Sequence, residues 1–159
     1  MEGKKNISRA ILVFGTPCSG KTTFCESFAK RFHAPFYNLE EMMAKYNLTR
    51  EQVLGFIEEV AKTGQTLIFE GFLDTEKDRE TMNQILKDAG YSPSLIWIQT
   101  DSNTTKQRMK MRLKSVSKAK TEYDARMKLL EAPSDEEPTI VISGRHTFET
   151  QLKHVLTQL

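Results

Sequence analysis

The sequence predicts an α/β protein: a three-layer sandwich with a five-stranded parallel sheet and helices on both faces. Three observations predict it. Strand-like and helix-like patterns alternate along the whole chain, the order that builds parallel sheets. A glycine loop, Gly15-Thr16-Pro17-Cys18-Ser19-Gly20-Lys21-Thr22, joins the first strand pattern to the first helix pattern. The run Leu95-Ile96-Trp97-Ile98 is apolar without alternation, as in a strand buried on both faces.

The elements follow in order. Residues 10–14, apolar and largely aliphatic, form the first strand. A helix over 21–32 sets Phe24, Phe28 and Phe32 on one face. Pro35-Phe36-Tyr37-Asn38 is a short second strand, and 40–46 is a turn or so of helix. Thr49-Arg50-Glu51-Gln52 is a capping box before Val53, Ile57 and Val60, and Gly64 closes that helix. Residues 67–69 are the third strand. A helix opens at Thr75, carries Met82, Ile85, Leu86 and Ala89 inward, and stops at Gly90 with Pro93 beyond it. After the fourth strand, 95–98, a long basic helix runs from about 103 and a shorter one over 121–130. The 132–138 segment, with two prolines, is a loop; 139–142 is the fifth strand. Thr147 caps a last helix whose Leu152, Val155, Leu156 and Leu159 face inward.

Bulk properties narrow the class. A chain of 159 residues suits one domain spanning 1–159. Hydrophobic content of 38% and charged content of 28% are those of a globular protein. A net charge of +2 makes no strong case for nucleic acid or a membrane. No run is long and apolar enough to span a bilayer, and the polar start Met1-Glu2-Gly3-Lys4-Lys5-Asn6 lacks the apolar stretch of a signal peptide. Cys18 and Cys25 fit a reducing compartment and lack the partners of a zinc site. The expectation is a cytoplasmic monomer.

The glycine loop carries the chemistry. It has the phosphate-loop form G-x-x-x-x-G-K-[ST] in its required strand–loop–helix setting. Gly15 and Gly20 let the backbone approach a ligand closely, and successive N–H groups point inward at the positive end of a helix. The phosphate-binding set is Gly15, Thr16, Pro17, Cys18, Ser19, Gly20, Lys21, Thr22 and Thr23. Lys21 is placed to reach the β- and γ-phosphates, and Thr22 to offer its hydroxyl to Mg²⁺.

In such a sheet the ligand lies beyond the carboxyl ends of the strands, so the remaining candidates come from those ends. After the second strand stand Glu40 and Glu41, either a base for an acceptor hydroxyl. After the third stands Glu70, suited to Mg²⁺ beside Thr22, with Gly71 turning the chain and Asp74 near enough to share the site. The basic stretch 106–120 contains no acid, and its Arg108 and Arg112 share one helical face. Two guanidinium groups there suit a triphosphate whose γ-group is transferring. It lacks an aromatic stacking platform, so a nucleic-acid role is not favoured. Met109, Met111, Leu113 and Val116 supply its apolar surface. After the fifth strand, Gly144 permits backbone approach and Arg145 is placed to stack on a base. No N-K-x-D guanine motif is present.

Together these residues resemble the small kinases of the AAA-like P-loop family, which includes polynucleotide, zeta-toxin, gluconate, shikimate and adenylate kinases. The likeness runs over about 7–159. Its most local form is to polynucleotide kinase domains: the phosphate loop, Phe36-Tyr37-Asn38 with Glu40-Glu41, then Glu70 with Glu76 and Arg79 as E-x-x-R. The resemblance implies the P-loop NTPase sandwich, ATP and Mg²⁺ as cofactors, a mobile lid of about 109–130, and Arg108 and Arg112 as lid arginines. It implies phosphoryl transfer to a hydroxyl or phosphate of a small metabolite, a nucleoside or nucleotide, or a nucleic-acid end. A P-loop ATPase or a nucleotide-binding module is the alternative. The chain departs from the family at the acceptor: Glu40 stands where aspartate is usual, and Met43 and Asp74 where arginines clamp a phosphate. An acceptor without a phosphate, or one held by Arg79 or Lys45, is the expectation.

Overall fold

The computed structural model describes residues 6–159; the polar start falls mostly on residues 1–5 and lies outside the described residues. Five strands form one sheet in the order β2-β3-β1-β4-β5, every neighbouring pair parallel. They are β1 (Ser8–Gly15), β2 (Phe36–Asn38), β3 (Leu67–Glu70), β4 (Tyr91–Gln99) and β5 (Thr139–Ser143). The helices are α1 (Lys21–Phe32), α2 (Leu39–Lys45), α3 (Arg50–Ala61), α4 (Glu76–Asp88), α5 (Ser102–Leu113), α6 (Val116–Leu129) and α7 (Phe148–Gln158).

The alternation of side chains along β1 divides the core. Ala10, Leu12 and Phe14 pack with Val53 and Ile57 of α3, Met82 and Leu86 of α4, and Trp97. Ile11 and Val13 face the other way, onto Phe24 and Phe28 of α1 and Leu152 and Val155 of α7. β1 is thus covered on both faces, and its carboxyl end delivers the glycine loop between β3 and β4. A third, small cluster of Met109, Ala119 and Tyr123 joins α5 to α6 and has Cys18 packed against it.

Most element ends follow the expected caps. Thr49 accepts from the Gln52 N–H in a reciprocal capping box, and Thr75 accepts from Asp78. Each such cap contributes about 1 kcal/mol.

Several expectations give way. β4 begins at Tyr91 and contains Pro93, which was expected in the turn between the helix stop at Gly90 and a strand starting at Leu95. β5 pairs with β4 only from Leu95 on, so Pro93 lies beside β1 alone, where the sheet has an open edge. The basic segment is a hairpin of two helices: Lys114 turns left-handed at φ 52° and Ser115 caps α6, which starts five residues before the expected 121. No glycine or proline marks that break. Phe32, at the far end of α1, is 42% exposed and reaches the core only through the Phe28 ring. Met111, Val116 and Leu156 also face outward, because only one face of each helix meets the protein.

Candidate active site

The carboxyl ends of β1, β2 and β3 and the α5–α6 hairpin enclose a cleft of about 960 Å³. Gly15, Pro17, Cys18, Ser19, Gly20, Lys21, Thr22 and Thr23 line it. The Lys21 ammonium donates to the carbonyls of Gly15 at 3.0 Å and Thr16 at 2.8 Å, which lays it across the mouth of the loop. Burial lowers the Lys21 pKa, opposed by the negative charges of Glu70, Asp74 and Glu40.

The loop is held from behind by the turn after β5. A Cβ on Gly144 would collide with the Ser19 carbonyl and the Thr100 hydroxyl. The close approach that Gly144 permits is therefore to the phosphate loop itself. Thr100 Oγ1 donates to the Ser19 carbonyl at 3.1 Å and completes this contact.

Glu70, at the last position of β3, meets Thr22 at the first turn of α1. The Thr22 hydroxyl lies 3.0 and 2.9 Å from the two Glu70 carboxylate oxygens. Burial raises the Glu70 pKa, against the Thr22 bond and Lys21, which lower it. This pair fits Mg²⁺, a hard cation that takes one or two protein oxygens and completes its shell with water and phosphate. Among the described residues no cluster of three or more His, Cys, Asp or Glu side chains forms an all-protein cage.

Glu40 occupies the second position of α2, capped by Asn38, whose side chain accepts from the Glu41 N–H. Glu40 is solvent-exposed at the cleft, with protein close enough to desolvate it in part. Burial raises its pKa, Asp74 adds to the rise, and Arg126 and Lys21 oppose it. Gly71 makes room for it: at φ +96° its hydrogen faces Glu40, where a Cβ would lie 3.0 Å from Cγ. Phe72 follows at φ 60°, a left-handed conformation that is costly for an aromatic residue. This strained turn brings Asp74 to the same wall as Glu40.

From α5, Arg108 donates to the carbonyls of Cys18 at 3.2 Å and Gly144 at 3.4 Å, so it bridges the hairpin to the loop. Arg112, one turn on, lines the cleft and sits 3.6 Å from Glu122. Arg126 of α6 lines it as well. Sequence reasoning missed Arg126; its i,i+4 spacing from Glu122, with which it pairs at 3.6 Å, marks a helix surface pair and not a place in the cleft. His146, Phe148 and Gln151 were missed too and border the opposite end.

Other candidates lie elsewhere. Arg145 pairs with Asp101 at 3.7 Å and is not among the lining residues. Arg79 cannot hold an acceptor: it is fully buried over the Phe14 ring and spends its guanidinium on Glu137 and the carbonyls of Leu73, Asp74 and Glu131. Lys45 lies over the Tyr46 ring, away from the cleft. The buried Cys25 thiol is pushed well up by desolvation, which keeps it inert. No described helix is long and apolar enough to cross a membrane.

No protein-family model matches the sequence, and no curated relative is found by sequence comparison. Solved structures do share its fold. A gluconokinase from Sinorhizobium meliloti superposes with a TM-score of 0.72 at 15% identity, over 96% of this chain and 92% of that one. The APS kinase of Mycobacterium tuberculosis, in complex with AMPPNP and APS, gives 0.74 at 14% identity, over 94% and 96%. Chaetomium thermophilum Kti12, in complex with ADP-AlF3, gives 0.66 at 12% identity, over 92% and 98%. The chain has the P-loop kinase-like fold, a five-stranded parallel α/β sandwich.

Proposed function

We propose that the chain is an ATP-dependent phosphotransferase. The observation that carries this reading is one cleft in which Lys21, Thr22 and Glu70 adjoin Glu40, Arg108 and Arg112. An ATPase needs the first three; a carboxylate on the acceptor side and two guanidinium groups on the hairpin suit transfer to a hydroxyl.

In this reading the loop amides and Lys21 hold the triphosphate of ATP. Mg²⁺, held by Thr22 with Glu70, would neutralise charge on the β- and γ-phosphates. Glu40 orients the acceptor hydroxyl and takes its proton as the oxygen bonds to the γ-phosphorus. The bond from that phosphorus to the β,γ-bridging oxygen breaks, and ADP leaves. Lys21, Arg108 and Arg112 stabilise the charge that spreads over the transferring group. The hairpin, about 109–130, acts as a lid that excludes water. Gly144 supports the loop that binds the nucleotide, and Arg145, turned to Asp101, has no part in it. The same reading takes the chain as a single domain acting as a cytoplasmic monomer.

Lys21→Ala tests it. The variant is expected to melt like the wild type and to lose at least 100-fold in ADP formation. Turnover at the wild-type rate would sink the mechanism. A second reading, a P-loop ATPase coupled to a partner protein, draws on the likeness to Kti12 with its bound ADP-AlF3. It predicts ADP formation that no small alcohol stimulates.

A further inference from the structure

The cleft is divided by charge. Its donor end holds the cations Lys21, Arg108 and Arg112 around the phosphate loop. Its acceptor end, between α2, the turn after β3 and the end of α6, holds Glu40, Glu41 and Asp74 with the cation Arg126, while Lys21 faces Glu40 and Asp74 from the phosphate loop. With Lys21 committed to the triphosphate, three carboxylates and the Arg126 guanidinium leave that end negatively charged.

The neighbouring arginines are engaged in other pairs. Arg79 is enclosed beneath the site by Glu137 and three backbone carbonyls. Arg50 pairs with Asp78 at 2.5 Å and lies over the Phe72 ring on the outer side. Arg126 itself is shared with Glu122. Asp74 is also fixed in place: Arg79 and the Glu131 N–H both bind its carbonyl, at 3.3 and 2.7 Å. Its carboxylate is thus carried on a braced turn beside Glu40. Around these acids the wall is apolar, formed by Ala44, Leu73 and Leu130.

A phosphate or carboxylate on the acceptor would meet like charge here with one arginine to offset it. A protonated amine would meet complementary charge. Resting on the phosphotransferase reading, we propose that the acceptor is an alcohol carrying a protonated amine, of the amino-sugar or amino-alcohol class. Its hydroxyl is presented to Glu40 and its ammonium to Asp74. The transfer is the one written above: the alcohol oxygen gains the γ-phosphoryl, its proton passes to Glu40, and ADP leaves. The ammonium is a spectator that fixes orientation.

The test uses ATP, Mg²⁺ and congeners matched for shape and differing in charge. One set is glucosamine, glucose and glucose 6-phosphate; another is 2-amino-1,3-propanediol, glycerol and glycerol 3-phosphate. Acceptor-dependent ADP formation is expected for the amines, with kcat/KM at least tenfold above the neutral congener and further above the phosphorylated one. In Asp74→Asn, checked for an unchanged melting curve, the amine-to-neutral ratio is expected to fall toward one. Preference for a neutral or phosphorylated congener overturns the inference and leaves the phosphotransferase reading standing. An unchanged ratio in Asp74→Asn overturns the assignment to Asp74. ADP formation that no congener of any charge stimulates overturns the phosphotransferase reading, and the inference with it.

Discussion

In the proposed mechanism the acceptor-side chemistry rests on one side chain, Glu40. In the kinases that this chain resembles an aspartate is usual there; the extra methylene of Glu40 is accommodated because Gly71 has no Cβ to oppose it. Burial and the neighbouring Asp74 raise its pKa above the ordinary 4.5. A base must be deprotonated to work, so kcat/KM is expected to rise with pH through a limb displaced above 4.5. Glu40→Gln should remove that limb and cost about 10²–10⁴ in rate. A variant retaining both rate and limb would exclude Glu40 as the base. That Lys21, Thr22, Glu70 and Glu40 gather at one cleft was legible in the sequence because each stands at a strand end or at a fixed offset in the loop. Arg126 was not, since its place depends on how α6 folds back over the cleft. Arg79 misled for the opposite reason: the pattern E-x-x-R does not reveal whether an arginine faces a ligand or the core.

At the scale of elements, two contacts set the positions of the catalytic groups. The first is the seat of the phosphate loop on the turn after β5. Gly144→Ala forces the Ser19 carbonyl or that turn to move, at an expected cost of about 1–3 kcal/mol and at least tenfold in nucleotide affinity by calorimetry. Wild-type affinity in the variant would show that the seat is unimportant. The second is the Arg79–Glu137 pair at 2.8 Å, with Arg79 fully buried and Glu137 11% exposed. It ties α4 to the segment that follows α6 and braces the turn carrying Asp74. Arg79→Ala leaves the Glu137 carboxylate with only the Ser134 N–H and several carbonyls without their donor, so it is expected to destabilise by about 3 kcal/mol. Arg79 also holds the Glu137 pKa below the ordinary 4.5. That stabilisation is present above the unfolded-state value and is lost as pH falls through the folded one. Acid titrations of stability should show this loss in the wild type and lack it in Glu137→Gln. The strands and most helices were legible from periodicity and caps. The α5–α6 break was not, because a lysine at φ 52° leaves no mark in the sequence.

For the whole molecule, the five-stranded parallel sheet and its two covered faces followed from a run of alternating patterns, whereas the strand order β2-β3-β1-β4-β5 did not, since alternation alone does not say which strands are neighbours. The acceptor did not follow, because its half of the cleft is assembled from α2, the turn after β3 and α6, distant in sequence. If the cleft binds Mg·ATP, a non-hydrolysable analogue at 100 times its Kd should stabilise the fold by about 2.7 kcal/mol. That gain should vanish in Lys21→Ala and shrink in Thr22→Val, as read by thermal melting. An analogue that leaves both melting temperatures unchanged would remove the nucleotide site altogether. The central claim, however, is transfer to a hydroxyl, and ³¹P NMR of the chain with Mg·ATP and an acceptor tests it most directly. The account predicts a phosphomonoester resonance growing in step with ADP for the wild type, and none for Lys21→Ala. Growth of inorganic phosphate alone, at the same rate with or without any alcohol, would contradict it.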